Sequence, residues 1–428
     1  MPHSQKSPRD SPEPPKASRS SGNAKECQHE LQSRASKKVN SKSLSVSSTL
    51  TIRKKTLGQF YTTNYAYILQ NFSIDKNVIN IIEPFAGNGD LLNFINKVAD
   101  RDSSGRPHVP SRRGPSTLSC YNIECYDIDP KKDFIVFRDT LLNPPSFTNK
   151  FVITNPPYLA RNKCKDKTIF DTYKCNDLYK CFINILIQTP CLGGIIIVPL
   201  NFFSSIRRSD IDLRKRFVVQ YNIICVNIFD EQVFSDTKYS VCSFQFRLRD
   251  NDASTSGSEA ISTDRVSTQS VCFIYPSNKV LSFTLDENNN YTIGGEIYNL
   301  NKNSNYSVGR ATKLTKKKEC ITNILVKCID DGIGNKINLS IVDEADIYID
   351  TTPNLSARSY ASLVIDPKID MERQKILVHK FNDYLTKHRN KYHSLFLTNY
   401  RESTTIARKR ISFKLVFCIC NYLLHNII

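Results

Sequence analysis

A chain of 428 residues is longer than most single domains, so the sequence predicts two folded domains with tails. Hydrophobic residues make up 40% and charged residues 23%, which are the proportions of a soluble globular protein and exclude a wholly disordered or membrane-embedded chain. The formal net charge of +18 predicts a polyanionic partner, most simply nucleic acid.

The N-terminal segment, residues 1–50, is rich in Ser, Pro, Lys and Arg and has almost no large apolar residues. Such a composition cannot offset the entropy cost of ordering, so we predict a disordered basic tail. Its role is either that of a solvated arm or that of a weak, salt-sensitive attraction to phosphates.

The elements after this tail alternate between apolar strands and amphipathic helices. This alternation predicts an α/β fold with a doubly wound, mainly parallel sheet. The predicted strands are 80–84, 121–126, 150–155, 194–198, 223–228 and 241–248, and the predicted helices include 90–98, 177–188 and 209–217.

Two polar segments, 102–119 and 250–270, are rich in Ser, Gly, Pro and Thr. We interpret the first as a loop insertion in a domain of residues 51–249 and the second as a linker. Residues 271–428 then form a separate domain. Between Lys375 and Arg410, basic residues interleave with aromatic ones, which is typical either of a nucleic-acid surface or of a solvated face over a small core.

The 14 cysteines and the apolar C-terminus suggest no special compartment. The cysteines form no Cys-x-x-Cys pair, so we expect free, buried thiols in a reducing environment and no metal site. Residues 411–428 are apolar but are interrupted by Lys414, Asn421 and His425. We therefore expect a packed helix or strand pair there and no membrane span.

The most informative motif is Asn155-Pro156-Pro157-Tyr158, which ends an apolar strand. Two prolines remove two amide donors, so the loop presents carbonyl acceptors. An amino group held by the Asn155 side-chain oxygen and the Pro156 carbonyl would direct its lone pair towards an electrophilic carbon. Tyr158 would stack on the base that carries this amino group, a contact worth about 1–3 kcal/mol. The alternative is a rigid turn at the end of a strand.

Three further segments are suited to a nucleotide-like ligand. Residues 82–90 form a strand, a turn with Gly87 and Gly89, and a helix start, where a ligand can approach the backbone. Asp127 ends the next strand, the usual place for an acid that binds ribose hydroxyls. Asp139 could accept a hydrogen bond from an adenine amino group. Each acid taken alone is more often a solvated turn residue.

Together these segments resemble the adenine-N6 DNA methyltransferases, in the gamma order where the cofactor motifs precede the catalytic loop. Residues 57–63 are similar to motif X, although Thr63 stands where the family commonly has proline. Phe234, within residues 232–241, is similar to the aromatic of motif VIII and would be the second stacking face, unless it simply packs in the core. The resemblance implies that cofactor-binding residues are Gln59, Phe60, Tyr61, Thr62, Glu83, Pro84, Phe85, Ala86, Gly87, Gly89, Asp127, Ile128, Asp139, Thr140, Leu141 and Asn155.

The resemblance also implies a function. The chain would use S-adenosylmethionine to methylate N6 of a flipped-out adenine in double-stranded DNA, with Asn155, Pro156, Pro157, Tyr158 and Phe234 as catalytic residues. Residues 271–428 would be the DNA target-recognition domain. We expect an intracellular, cytoplasmic monomer of cellular or viral origin, related to restriction-modification systems, with a cognate restriction endonuclease as a candidate partner and no membrane partner.

Other functions use the same loop. Methyltransferases of a protein glutamine amide or of RNA bases carry it too, although the glutamine enzymes usually place their extra domain before the cofactor motifs. Cytosine-N4 enzymes more often begin the loop with Ser. A non-catalytic DNA-binding protein on this fold is a further alternative, and a fused nuclease would need an arrangement of acids and lysine that we do not find.

Overall fold

The computed structural model describes residues 58, 60–99, 121–234, 239–249, 269–302, 305–330, 334–351, 359–401 and 407–425. Four sequence predictions concern residues outside these ranges: the basic tail 1–50, the insertion 102–119, the linker as far as residue 268, and Gln59.

Strands run through most of the described chain. They are β1 (Asn80–Glu83), β2 (Asn122–Asp127), β3 (Val136–Phe137), β4 (Phe151–Thr154), β5 (Gly193–Pro199), β6 (Tyr221–Phe229), β7 (Val241–Leu248), β8 (Ser270–Tyr275), β9 (Lys279–Phe283), β10 (Ser307–Arg310), β11 (Ile321–Lys327), β12 (Asn338–Ile341), β13 (Tyr360–Asp366), β14 (Thr398–Arg401) and β15 (Ala407–Arg410).

Helices separate several of these strands. They are α1 (Tyr65–Ile68), α2 (Leu92–Ala99), α3 (Thr168–Tyr173), α4 (Leu178–Gln188), α5 (Asn201–Ser204), α6 (Arg208–Gln220), α7 (Met371–Lys391) and α8 (Phe413–His425), with short 3-10 helices at Arg161–Lys163, Glu287–Asn289, Gly295–Tyr298, Lys318–Cys320 and Glu344–Asp346.

The larger sheet has the strand order β3-β2-β1-β4-β5-β7-β6-β8-β9 within the described residues. Strands β3, β2, β1, β4 and β5 pair in parallel with one another in this order, whereas β7 runs antiparallel to both β5 and β6. All residues of β4 and β5 are buried, as expected for central strands that are covered on both faces. The predicted doubly wound, mainly parallel sheet is confirmed.

The smaller sheet has the order β10-β13-β11-β12 and is antiparallel. Helices α7 and α8 pack with it around a second hydrophobic core. Helix α7 begins where the Asp370 side chain accepts a hydrogen bond from the Arg373 amide at 2.8 Å, and it buries Leu377, Phe381 and Leu385 at every fourth position.

The predicted domain start at residue 271 is corrected by the structure. Strands β8 and β9 follow the predicted linker but extend the larger sheet, because β8 pairs in parallel with β6. Pairing between segments more than 40 residues apart leaves no periodic signal in the sequence. The second core belongs instead to residues 297–424.

The aromatic residues between Lys375 and Arg410 contribute to this second core. Phe396 is fully buried, and Tyr384 and Tyr392 pack partly buried against the same core. The C-terminal apolar segment forms α8, whose leucines are buried, as the packed-helix prediction required. Among the described residues, no helix combines the length and apolar character needed to cross a membrane.

Candidate active site

Three polar side chains lie at the carboxyl ends of adjacent strands. Glu83 is the last residue of β1, Asp127 is the last residue of β2, and Asn155 follows β4 directly. Since β1 pairs in parallel with both β2 and β4, these three ends meet at one edge of the sheet. The chain order of the strands reverses at this point, which is where doubly wound sheets bind their ligands.

The turn after β1 is held against β2 by hydrogen bonds. The Gly87 amide donates to Asp127 Oδ2 at 2.8 Å, and the Ala86 amide donates to the Tyr126 carbonyl at 2.8 Å. Gly87 has φ +55°, and a Cβ there would lie 3.0 Å from the Tyr61 ring. Because a side chain would be both strained and crowded, this position favours glycine.

A cavity of about 250 Å³ opens beside this turn. Its walls are mainly apolar, with carboxylates of Asp127 and Asp139 and the amide of Asn155 among them. This combination suits an elongated ligand that has a flat ring and several hydroxyl or amino donors. The lining residues are Phe60, Tyr61, Phe85, Gly87, Asp127, Ile128, Arg138, Asp139, Thr140, Leu141, Leu142, Asn155, Pro157, Leu159, Cys164, Asp166, Ile169, Phe170 and Leu178.

The segment after β3 supplies one wall of the cavity. Asp139 Oδ1 accepts from the amides of Leu141 and Leu142 at 3.0 and 3.1 Å, which fixes the turn. The Thr140 hydroxyl donates to the Pro84 carbonyl at 2.8 Å and ties this segment to the β1 turn. Asp127 likewise both lines the cavity and fixes a turn, because its Oδ1 accepts a hydrogen bond from the Asp129 amide at 2.7 Å.

A smaller pocket adjoins the cavity and contains one buried acid, Glu83, and one partly buried acid, Asp90. Glu83 is 1% exposed, and its Oε2, like Asp90 Oδ2, has no hydrogen-bond partner among the described residues. Burial, with the nearby charges of Asp90 and Asp127, raises the pKa of Glu83 well above its ordinary value. A cationic amino group would satisfy both oxygens. The pocket is lined by Phe60, Tyr61, Thr62, Glu83, Phe85, Ala86, Gly87, Asp90, Leu91 and Asn155.

The side-chain amide of Asn155 is held in one orientation. Its Nδ2 donates to the Phe60 carbonyl at 2.8 Å and to Thr62 Oγ1 at 3.1 Å. Its Oδ1 accepts a hydrogen bond from the Tyr158 hydroxyl at 2.5 Å, and the same hydroxyl lies 2.9 Å from the Ile197 carbonyl oxygen. With both hydrogens used, the amide presents only an acceptor, Oδ1, to a substrate amino group.

The aromatic rings around this amide are packed together and leave the rings of Tyr158 and Phe234 almost inaccessible to solvent. Tyr158 is 2% exposed and Phe234 is 3% exposed. Phe60 stacks on Tyr158 with ring centroids 5.3 Å apart and planes 29° apart, and it also contacts Phe234 with centroids at 6.5 Å. Tyr239 makes T-shaped ring contacts with both Phe60 and Tyr158.

The two pockets bring together most residues implied by the resemblance. Of the implied residues that the structure describes, five line neither pocket: Pro84, Gly89, Pro156, Tyr158 and Phe234. Arg138 was missed by sequence reasoning, although it lines the cavity and its guanidinium lies 4.8 Å from the centre of the Tyr126 ring. Among the described residues, no group of three or more His, Cys, Asp or Glu side chains is arranged to hold a metal ion.

A larger cleft, of about 910 Å³, is lined in part by residues that follow the Asn155-Pro156-Pro157-Tyr158 loop. Residues that follow the loop and begin α4 and α6 form one wall, and the hairpin of β14 and β15 contributes to the other. Asn201 joins the walls, because its Nδ2 donates to the Asn399 carbonyl at 3.0 Å and its Oδ1 accepts from the Asn399 amide at 3.2 Å. The charged lining residues are Arg161, Lys167, Asp177, Lys180, Arg207, Asp210 and Arg410.

Asp177 and Asp210 are both buried acids that line this cleft, and Asp210 is paired with Lys180. Asp177 is 8% exposed, and its Oδ1 has no partner within the described part of the chain. Burial raises its pKa to about 6, although Lys180 and the neighbouring backbone amides oppose the shift. Sequence reasoning assigned Asp177 only to the helix after the loop, and a lone acid at a helix start gave no further signal.

A family model described as N-6 DNA Methylase matches residues 47–293 of the 428. A search of curated proteins found no match.

Solved structures give similar but distant matches. A type I restriction-modification methyltransferase subunit from Streptococcus thermophilus is 13% identical over 49% of this chain and 44% of its own, with a TM-score of 0.31. The M protein of the type I restriction enzyme EcoKI is 16% identical over 48% and 47%, with a TM-score of 0.30. A nuclease-deletion mutant of the type ISP enzyme LlaGI is 14% identical over 71% and 38%, with a TM-score of 0.35.

The chain spans about half the length of the first solved structures it matches. The family match itself covers more than half of this chain and includes β1 to β9, with the catalytic loop and both pockets. The chain therefore belongs to the N-6 DNA methylase family, as its motifs predicted.

Proposed function

We propose that this protein is a DNA methyltransferase that transfers a methyl group to N6 of adenine. The observation that carries the proposal is the Asn155 amide, fixed at the carboxyl edge of the sheet with Oδ1 as its acceptor. An exocyclic amino group is planar and a weak nucleophile. Two acceptors, Asn155 Oδ1 and the Pro156 carbonyl, would orient its hydrogens and direct its lone pair out of the ring plane.

The residues of the two pockets fit S-adenosylmethionine, which supplies the methyl group when bound. Asp127 and Asp139 face the cavity where ribose hydroxyls and an adenine amino group need acceptors. Glu83 Oε2 and Asp90 Oδ2, buried and unpartnered among the described residues, suit the ammonium of an amino acid. The Gly87 turn allows the ligand to approach the backbone.

Proton transfer needs no strongly basic residue before the reaction. Methylation leaves N6 cationic, and a cationic amine of this kind loses its proton readily to solvent or to a neighbouring acceptor. Asn155 Oδ1 would hold the departing hydrogen in place. The chain therefore contributes positioning and fixed dipoles, and no metal ion is required.

The larger cleft is the proposed path of the DNA. Lys180 is paired with Asp210 at 2.7 Å, but Arg207 is exposed and forms no ion pair among the described residues. Basic side chains on two facing walls would contact phosphates. We propose that the second core, with the hairpin of β14 and β15, is the target-recognition region.

Incubation with labelled S-adenosylmethionine and, separately, duplex DNA, RNA and a protein glutamine substrate tests the proposal. We expect N6-methyladenine in DNA alone. Label in RNA or on glutamine would retain the catalytic loop but overturn the substrate, and no label in any acceptor would support the non-catalytic alternative. A partner endonuclease, the monomeric state and the cytoplasmic location stay predictions from sequence.

A further inference from the structure

The ring of Phe60 contacts both aromatic residues that are proposed to hold the target base. It stacks on Tyr158 at 5.3 Å and meets Phe234 at 6.5 Å. An aromatic base that stacked on the same face of Tyr158 would require the space that the Phe60 ring fills. The acceptor position is therefore filled by the protein's own side chain.

We propose that Phe60 is an aromatic gate, whose ring covers the face of Tyr158 in the DNA-free protein and turns away when the target adenine enters. This inference rests on the proposed function. It assigns to Phe60 a contact with the base, in addition to the cofactor contact that its place on the cavity wall suggests.

The hydrogen bonds of the neighbouring backbone indicate that the side chain moves and the backbone stays. The Phe60 carbonyl accepts from Asn155 Nδ2 at 2.8 Å, and the Gly58 carbonyl accepts from the Tyr158 amide at 2.9 Å. Moving this backbone would release the catalytic amide. Rotation of the Phe60 side chain breaks neither bond, and the ring is only partly buried.

The gate contributes to base selection. Any base that enters must replace the Phe60–Tyr158 stack, so its own stacking on Tyr158 brings little net gain. The net favourable free energy of base entry must therefore come from hydrogen bonds to Asn155 Oδ1 and the Pro156 carbonyl. A base without a correctly placed amino group does not form these hydrogen bonds.

The test uses the full-length protein and the DNA site that the wild-type enzyme methylates, found by sequencing its product. Phe60→Ala and a control, Phe273→Ala, are titrated with this duplex and with a duplex whose target A·T pair is replaced by G·C. Phe273 is a partly buried phenylalanine on β8, away from the site. S-adenosylhomocysteine is present to prevent turnover.

We expect Phe60→Ala to raise the affinity for the adenine duplex by about 2- to 10-fold, as loss of one aromatic stack implies, and to raise the affinity for the G·C duplex by no more than the same factor. Phe273→Ala should bind both as the wild type does. An unchanged or reduced affinity for the adenine duplex in folded Phe60→Ala would overturn the gate. Failure of the wild type to methylate adenine would overturn the proposed function instead.

A second variant makes the test independent of Phe60→Ala folding. The chain has no tryptophan, so Phe60→Trp introduces a unique fluorophore at the gate. We expect its indole emission to change when the adenine duplex binds and to change much less with the G·C duplex. Identical emission changes with the two bound duplexes would contradict the movement.

Discussion

The hydrogen bonds of Asn155 explain how a neutral side chain can become a directional acceptor. Both amide hydrogens are directed at Phe60 and Thr62, residues almost 100 positions earlier in the chain. The segment that we propose to close over the cofactor therefore also orients the amide that we propose to be catalytic.

Substitution of this amide separates catalysis from binding. We expect Asn155→Ala to lower kcat by about 10²-fold or more, as loss of a preorganised polar group does, while the affinities for S-adenosylmethionine and DNA change little. Single-turnover kinetics and calorimetry measure these quantities. The exposed Asn93→Ala is the control, and turnover of Asn155→Ala near the control value would remove Asn155 from catalysis.

The buried Glu83 at the end of β1 has a raised pKa that affects the stability of the folded protein. The raised pKa of Glu83 means that the folded protein favours the protonated form, so this residue's contribution to stability is lost as pH rises through its folded-state pKa. We expect Glu83→Gln to stabilise the cofactor-free protein at neutral pH by about 1–3 kcal/mol and to weaken S-adenosylmethionine binding.

Thermal unfolding and calorimetry of Glu83→Gln check both effects, with the exposed Glu344→Gln as control. Equal cofactor affinity in Glu83→Gln and the wild type would show that the carboxylate does not bind the ligand. A lower melting temperature in the absence of cofactor would show that the ionised carboxylate has a stabilising partner.

At the scale of elements, the start of α4 is attached to the end of the catalytic loop. The Leu178 amide donates to the Leu159 carbonyl at 3.2 Å, and the Arg161 amide donates to the Asn176 carbonyl at 3.0 Å. Asp177 lies between these contacts and forms an isolated bridge with Ala160. The helix thus fixes the residues that lead from the loop into the cleft.

The pKa of Asp177 predicts a pH dependence for this attachment. The folded-state pKa of Asp177 is about 6, raised from 3.8, so the folded protein favours the protonated carboxyl. The contribution of Asp177 to the free energy of unfolding is therefore fully present below pH 3.8 and is lost as the pH rises through 6. We expect Asp177→Asn to gain about 1–3 kcal/mol over the wild type between pH 4 and 7, because it avoids ionisation of a buried group.

Chemical denaturation at several pH values measures this difference for Asp177→Asn. The exposed Asp212→Asn should show a constant difference from the wild type over the same range. A pH-independent difference for Asp177→Asn would contradict the assigned ionisation.

At the scale of the whole molecule, two hydrophobic cores contribute walls to one basic cleft. The first core belongs to the larger sheet and the second to residues 297–424. The hairpin of β14 and β15 contacts the first through Asn201 and Asn399. This contact places Arg410 across the cleft from the residues that follow the catalytic loop.

Salt dependence tests the assignment of the cleft. If Arg207 contacts a phosphate, Arg207→Gln should reduce the slope of log K against log salt by about 1. Lys387→Gln is the control, since Lys387 lies on α7 in an exposed pair with Asp383. Binding isotherms at several salt concentrations measure the slope, and equal slopes for the two variants would place the DNA elsewhere.

The sequence by itself determined the family and the parallel sheet, and it singled out many of the residues that line the two pockets. These are local signals: a Gly turn, an acid or Asn at a strand end, and a Pro-Pro loop each occupy a few consecutive residues. Parallel pairing of β1 with β2 and β4 then places the carboxyl ends of these strands at the same edge of the sheet.

Only the tertiary structure decided the rest. The place of β8 in the larger sheet, the stacking of Phe60 on Tyr158, and the bonds from Asn155 to Phe60 join residues tens to hundreds of positions apart. Such contacts depend on which surfaces meet after the chain folds, so composition and periodicity do not encode them. For this reason the sequence predicted Tyr158 and Phe234 as aromatic partners of the base but did not reveal that Phe60 stacks on Tyr158.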